Sequence, residues 1–236
     1  MNPPKTVKKP KPWKESKPPL STSKILIVDD HPIVREGLRR RIESQPDLEV
    51  GCEAGDAAEA WGCLEKAVFD AAVIDISLGG SSGIDLLKQI RARGLTFPVL
   101  ILSVHDDATY LDRALAAGAQ GYIVKHEAPP LIIAALHRIL AGGMYICDSM
   151  ATKFFSRLDG RKKKADNPLS LLSDREIEIL EAVSRGKTSR EIAAGLFLSP
   201  STIDTYKSRI KTKLGLKNSL ELIVFATKAF NLPNLL

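Results

Sequence analysis

Ala71-Ala72-Val73-Ile74-Asp75-Ile76-Ser77-Leu78-Gly79-Gly80-Ser81-Ser82-Gly83 is the stretch on which the fold of this chain turns. A short apolar run ends in a lone carboxylate, and a glycine-rich loop follows. In an open parallel sheet, ligands and chemistry collect beyond the carboxyl ends of the strands, where Asp75 would sit. A strand closing in aspartate is common, and by itself this one reads as a turn residue. The flanking sequence has to decide.

Upstream, the apolar run 25–28 is bounded by Asp29-Asp30-His31-Pro32. Pro32 suits the first turn of a helix, and Ile33, Val34, Leu38 and Ile42 fall on one helical face. Residues 48–54 read as a second strand, and Asp56 with Glu59 makes a capping-box-like start for the next helix. Downstream of the quoted stretch the pattern continues. Helices are expected over 83–93, 106–117 and 129–140, and strands over 98–103 and 121–125. Five strands each followed by a helix imply a parallel sheet covered on both faces, a doubly wound α/β fold.

Aligned in this way, the strand ends carry Asp29-Asp30, Asp75, Ser103 and Lys125 at one edge of one sheet. Crowded carboxylates repel unless a cation joins them. A hard divalent ion such as Mg²⁺ suits oxygen ligands and retains water. A lysine and a hydroxyl nearby suit the remaining oxygens of a phosphoryl group, which makes Asp75 a carboxylate nucleophile for an aspartyl-phosphate. His105 lies beside this pocket and is read as modulating access, and His126 as a surface residue.

At 236 residues the chain has room for two domains, and its 44% hydrophobic and 26% charged content is ordinary for a soluble protein. No apolar run reaches the length of a membrane span, and the N-terminus lacks the apolar core of a secretory signal. Cys52, Cys63 and Cys147 make neither a zinc pattern nor a disulfide framework and suggest a reducing compartment. The net charge of +6 is uneven. Segment 24–144 is acidic, whereas 1–23, 145–167 and 168–236 are basic, as befits a metal or phosphoryl site in one part and a polyanion partner for another. Residues 1–23, rich in Lys and Pro, read as a disordered tail. Residues 144–167, with Arg161-Lys162-Lys163-Lys164, read as a linker between a domain at 24–143 and a domain at 168–236.

The last domain opens with two capping boxes. Ser173 with Glu176 precedes Ile177, Ile179, Leu180 and Val183, and Thr188 with Glu191 precedes Ile192, Ala193 and Leu196. Ser199-Pro200 starts a third helix. Two short helices, a tight turn and a third form a helix-turn-helix arrangement. On the third helix Ile203, Tyr206, Ile210 and Leu214 share one face. Ser201, Asp204, Thr205, Ser208 and Thr212 lie opposite, flanked by Lys207, Arg209, Lys211 and Lys213. An apolar stripe with a polar outer face and basic edges suits a helix laid in the major groove, with lysines on phosphate and polar side chains on base edges.

On these motifs residues 24–143 resemble the receiver domain of NarL/FixJ-type two-component response regulators, and 169–228 resemble the LuxR-type helix-turn-helix domain. The resemblance implies a flavodoxin-like (βα)5 receiver with strand order 2-1-3-4-5, followed by a small all-α DNA-binding domain. It implies Asp75 as phosphoacceptor, Asp29, Asp30 and the Ser77 backbone carbonyl as further Mg²⁺ ligands, Ser103 and Tyr122 as switch residues, and Lys125 on phosphate. It places base contacts on Asp204, Thr205 and Ser208, with Ser201 on the same face, and phosphate contacts on Lys187, Ser189, Lys207, Lys211 and Lys213. The implied partners are a sensor histidine kinase, double-stranded promoter DNA, a second copy of the chain and RNA polymerase, in a bacterial cytoplasm and with no membrane partner. No enzyme activity is implied beyond Mg²⁺-dependent self-phosphorylation and self-dephosphorylation. The resemblance also implies an off state in which the receiver covers the recognition helix, and a Tyr122 that moves inward on phosphorylation. The chain departs from the pattern at Gly79 and His126, where many relatives have proline.

Overall fold

A computed structural model describes residues 22–104, 108–152 and 168–230. The first domain alternates strands and helices: β1 (Ser23–Val28), α1 (Pro32–Glu43), β2 (Leu48–Ala54), α2 (Ala57–Leu64) and β3 (Ala71–Asp75). A small hairpin follows, β4 (Ser77–Leu78) with β5 (Ser81–Ser82), and then α3 (Gly83–Ala92), β6 (Val99–Ser103), α4 (Ala108–Ala116), β7 (Gly121–Val124), α5 (Ala128–Leu140) and β8 (Tyr145–Ile146). The sheet order is β2-β1-β3-β6-β7-β8, and every pairing in it is parallel. The first five of these strands stand in the expected 2-1-3-4-5 order. Parallel strands buried on both faces need continuous apolar runs, and Ile25–Val28, Ala71–Ile74 and Val99–Leu102 supply them.

The sheet runs past residue 143, where the linker was expected to begin. Tyr145 and Ile146 pair with Gly121 and Tyr122, and Cys147 and Met150 are buried in the core. Two residues are too short to carry a periodic signal, which is why the sequence did not show this strand. Ile33 also departs from expectation. It is 80% exposed, while Leu38 and Ile42 carry the inward face of α1. Cys52 on β2 and Cys63 on α2 correct the reading of unpaired cysteines: they are joined as a disulfide, with their Cα atoms 6.2 Å apart. The turn from β2 into α2 folds back and brings together two positions that their linear spacing did not connect.

The second domain is all helical: α6 (Asp174–Ser184), α7 (Ser189–Gly195), α8 (Pro200–Leu214) and α9 (Ser219–Ala229). Both expected capping boxes form, Ser173 with Glu176 and Thr188 with Glu191. Ser199 caps α8 through the Thr202 amide, and Gly215 ends it in the left-handed conformation. Ile177, Leu180, Ile192, Ile203, Ile210, Leu222 and Ala226 form the core of this domain.

Gly83 ties the quoted stretch to the fold. Its amide donates to the Ile76 carbonyl at 2.7 Å, and an added Cβ would stand 1.9 Å from the Asp75 carbonyl oxygen. Backbone cannot yield there as a flexible side chain would. Gly83→Ala is therefore expected to displace the loop behind Asp75 and destabilise the receiver by about 3 kcal/mol, measured as a fall in the thermal unfolding midpoint.

Candidate functional site

The carboxyl edge of the sheet holds the expected acidic cluster. Asp29 and Asp30 follow β1, and Asp75 closes β3. Asp29 and Asp75 are almost fully buried. Ligand atoms of Asp29, Asp30, His31 and Asp75 all lie within 4.8 Å of one another. Lys125, just beyond β7, reaches between two of them: its Nζ is 2.8 Å from Asp29 Oδ2 and 2.7 Å from Asp75 Oδ2. The other carboxylate oxygen of Asp75, Oδ1, is buried and has no hydrogen-bond partner among the described residues. A buried anionic oxygen in that state is an open ligand position for a cation.

Other groups shape the rim. The Gly79 amide donates to Asp30 Oδ2 at 3.1 Å, with Gly79 at φ +28°. The proline of many relatives has no N–H and could not make this bond. His31 Nδ1 sits 2.6 Å from Asp30 Oδ1, and the His31 amide donates to Asp29 Oδ1. This rim role of His31 was not anticipated. Ser103 is buried at the end of β6, next to Val124 in register. Tyr122 is fully buried. His126 is exposed, as expected, and His105 lies outside the described residues.

The site has a roof that the sequence did not announce. Helix α6 of the second domain lies over it, and a cavity of about 250 Å³ is lined by Asp30, Asp75 and Lys125 below and by Arg175, Glu178 and Glu181 above. Ser77 Oγ donates to Glu178 Oε1 at 2.6 Å. Tyr110 on α4 donates its hydroxyl to Glu181 Oε2 at 3.0 Å. Asp174, at the start of α6, pairs with Arg113 and with Lys88, the latter at 3.2 Å. Arg113 also donates to the Leu172 carbonyl at 3.0 Å. The charged face of α6 is consequently as buried as its apolar face.

The face of α8 expected to meet DNA is open. Ser201, Asp204, Thr205, Ser208 and Thr212 are all exposed, whereas Ile203 and Ile210 point into the core. The receiver covers α6 and leaves this recognition face free, contrary to the covered recognition helix that was expected. Several of the expected contacts hold one another. Ser189 Oγ donates to Asp204 Oδ1 at 2.7 Å, and Lys207 Nζ donates to Ser189 Oγ at 2.9 Å. Lys213 is tied to Glu176 at 2.6 Å. Lys187 is exposed and Lys211 half-buried.

Residues 25–137 match the family of response regulator receiver domains, and residues 170–226 match the bacterial regulatory proteins of the luxR family. The oxygen regulatory protein NreC of Staphylococcus aureus is 34% identical over 210 residues, which span 87% of this chain and 97% of NreC. The chain is a LuxR-family response regulator. A two-component response regulator of that family from Aurantimonas sp. SI85-9A1 is 37% identical, with a TM-score of 0.57 over 59% of this chain and 99% of that one. RcsB from Salmonella enterica serovar Typhimurium, bound to a promoter in the presence of the phosphomimetic BeF3⁻, is 26% identical. Its TM-score is 0.56 over 89% of this chain and 99% of its own. No helix among the described residues is long and apolar enough to cross a membrane.

Electrostatics in this response regulator follow from burial. Burial pushes the Asp75 carboxyl up to about 7; Lys125 opposes the shift and Asp29 adds to it. Burial alone would depress the Lys125 ammonium, but Asp75 and Asp29 together raise it. The Tyr110 phenol is pushed well above its usual range, by burial first and then by Glu181 and Glu178, so it stays a proton donor. On the DNA-binding side, burial lowers Lys207 against the pull of Asp204.

The Asp75 shift has a sign that can be measured. Because the folded carboxyl titrates above its unfolded value, its contribution to stability is full below about pH 4 and is lost as pH rises through about 7. Asp75→Asn removes that loss. In metal-free buffer the variant is expected to match the wild type near pH 4 and to be more stable by about 4 kcal/mol at pH 8, read by denaturant unfolding across that range.

Proposed function

We propose that this response regulator is switched by a phosphoryl group on Asp75, which weakens the hold of the receiver on α6 and lets the DNA-binding domain engage a promoter as part of a dimer. The observation that carries the reading is the buried Asp75 Oδ1, unpartnered among the described residues, in a cluster of carboxylates crossed by one lysine.

The donor set is all oxygen apart from His31 and suits Mg²⁺, held by Asp29, Asp30, Asp75 and the backbone carbonyl of Ser77. When bound, the ion offsets the negative charge that gathers around a phosphoryl group in transfer. The chain's own residues do the rest. An Asp75 carboxylate oxygen attacks the phosphorus of a phosphohistidine on a sensor kinase, and the bond from phosphorus to the leaving nitrogen breaks. Lys125 is already aimed at Asp75 and takes a phosphoryl oxygen. Ser103, at the end of the neighbouring strand, is the hydroxyl for another. The buried Tyr122 packs the same edge of the sheet. Enzymatic activity is confined to this self-phosphorylation and to slow hydrolysis of the product.

A phosphoryl group adds roughly one and a half to two negative charges at neutral pH. Here it arrives on the floor of a cavity whose roof pairs Glu178 with Arg175 and Glu181 with Arg185, with Lys187 and Glu191 further along. The new charge competes with Glu178 for Arg175, and Ser77 gives up its bond to Glu178 if its loop turns toward the phosphoryl group, so the contacts that hold α6 are exchanged. The recognition face is exposed before release, so release acts on domain orientation rather than on uncovering bases. Two copies must present α8 to half-sites about one helical turn apart. Leu220, Ile223 and Val224 lie exposed along α9 and supply an apolar face for such pairing. Thr205 and Ser208 would then read base edges, with Ser201 beside them, while Lys187, Ser189, Lys207 and Lys211 hold phosphate. Asp204 reaches a base only after leaving Ser189, and Lys213 reaches phosphate only after leaving Glu176. This assignment places the protein in the bacterial cytoplasm, with a sensor kinase and promoter DNA as partners and RNA polymerase as a further one.

Two measurements test the reading. Incubated with Mg²⁺ and a small acyl-phosphate, the full chain is expected to gain one phosphate by intact mass and Asp75→Asn none. Phosphate on both, or on neither, refutes the assignment of Asp75. Asp174→Ala cuts the ion pairs to Lys88 and Arg113. The unphosphorylated variant is expected to bind promoter DNA about tenfold more tightly than the unphosphorylated wild type. Equal affinities in a titration would show that the docked α6 does not restrain binding.

A further inference from the structure

The pair Cys52 and Cys63 plays no part in phosphoryl transfer or DNA binding. Cys52 lies on β2, the edge strand of the sheet, and is half-buried; Cys63 lies on α2 and is buried. Their Cα separation of 6.2 Å falls within the span that a disulfide bridges without backbone movement. Both sulfurs lie 3.8 Å from the carbonyl oxygen of Glu53. They also line a surface cavity of about 420 Å³ with Gly51, Gly62 and Lys66. Gly62, with nothing within 4 Å of where its side chain would stand, leaves the approach open to a small solute. The third cysteine, Cys147, is buried in the core.

We propose that Cys52 and Cys63 are a reversible redox site, oxidised by a hydroperoxide to a disulfide that fastens α2 to β2. The proposal rests on the reading of the chain as a promoter-binding protein, because such a protein works where thiols are kept reduced and disulfides form transiently. Cys52 is the more accessible thiol and Cys63 the resolving one, an arrangement suited to peroxide sensing. The Cys52 thiolate attacks a peroxide oxygen and the O–O bond breaks, which leaves a sulfenic acid on Cys52 and releases an alcohol, or water from hydrogen peroxide. The Cys63 sulfur then attacks the Cys52 sulfur and expels water. Two thiols are oxidised to one disulfide, and one peroxide is reduced. A dithiol reverses the step by exchange.

The bond closes a loop that contains Glu53. Glu53 pairs with Arg39 at 3.3 Å and Arg35 at 3.7 Å, and Arg35 donates to the Asp29 carbonyl. Oxidation therefore steadies a segment that leans on the acidic pocket.

The test uses the full chain, hydrogen peroxide and thiol alkylation after unfolding. The dithiol-reduced protein is expected to alkylate at all three cysteines, the peroxide-treated protein at Cys147 alone, and a second dithiol treatment to restore all three. Cys63→Ser, treated alike, is expected to gain oxygen on Cys52, whereas Cys52→Ser, which keeps only the buried Cys63 of the pair, is expected to gain none. The thermal midpoint of the wild type is expected to rise on oxidation, and that of neither variant. Three alkylated cysteines after peroxide would overturn the proposal. A pair that stays closed against the dithiol would also do so, by marking a permanent structural bond, as would a midpoint indifferent to oxidation.

Discussion

One ammonium group holds the centre of this protein together. Lys125 stands between Asp29 and Asp75, two buried carboxylates that repel each other at this range, and burial makes the second of them costly to ionise. The three residues come from the ends of β1, β3 and β7, so the ion pair exists only if those strands lie in register at one edge. Conversely, the edge can carry two buried acids only because the lysine reaches them. The arrangement neutralises part of the charge and leaves Asp75 with one oxygen uncommitted. Stability and reactivity are thus set by the same few atoms.

The second organising element is α6, which serves two interiors. Its apolar residues Ile177, Leu180 and Val183 close the helix-turn-helix core. Its charged residues Asp174, Glu178 and Glu181 are buried against Lys88, Arg113, Ser77 and Tyr110 of the receiver. Polar and ionic contacts of this kind hold geometry well, but contribute less net free energy than apolar burial of equal area. A contact built from them is fixed in position and still easily exchanged, as a switch between two arrangements requires.

The receiver was legible because its signals are local and repeat. Apolar runs fix the strands, and chemistry-bearing residues recur at their ends, so Asp29, Asp30, Asp75, Ser103 and Lys125 could be brought to one edge by counting elements. The helix-turn-helix was legible through its capping boxes and the stripe on α8. The roof was not legible. Glu178 and Glu181 look like the solvated face of an amphipathic helix, and nothing along the chain says that Tyr110 and Ser77 will meet them about 70 and 100 residues away in sequence. Nor does the sequence say that Ser189, Asp204 and Lys207 satisfy one another, since that depends on how α7 crosses α8. The Cys52–Cys63 pair escaped for the same reason. Pairing across a tertiary turn has no period.

The shared use of α6 bears on how such proteins diversify. Receivers and DNA-binding domains recombine readily when a linker is all that joins them. Here the receiver supplies Arg113 and Lys88 for Asp174 and the Tyr110 hydroxyl for Glu181. A foreign receiver without those side chains would still accept phosphate, and the DNA-binding domain would still fold, yet the two would have no closed arrangement to leave. A substitution at one end of such a contact leaves the other end with a charge or hydroxyl that has lost its partner, so this DNA-binding domain is matched to its receiver by chemistry as well as by the chain.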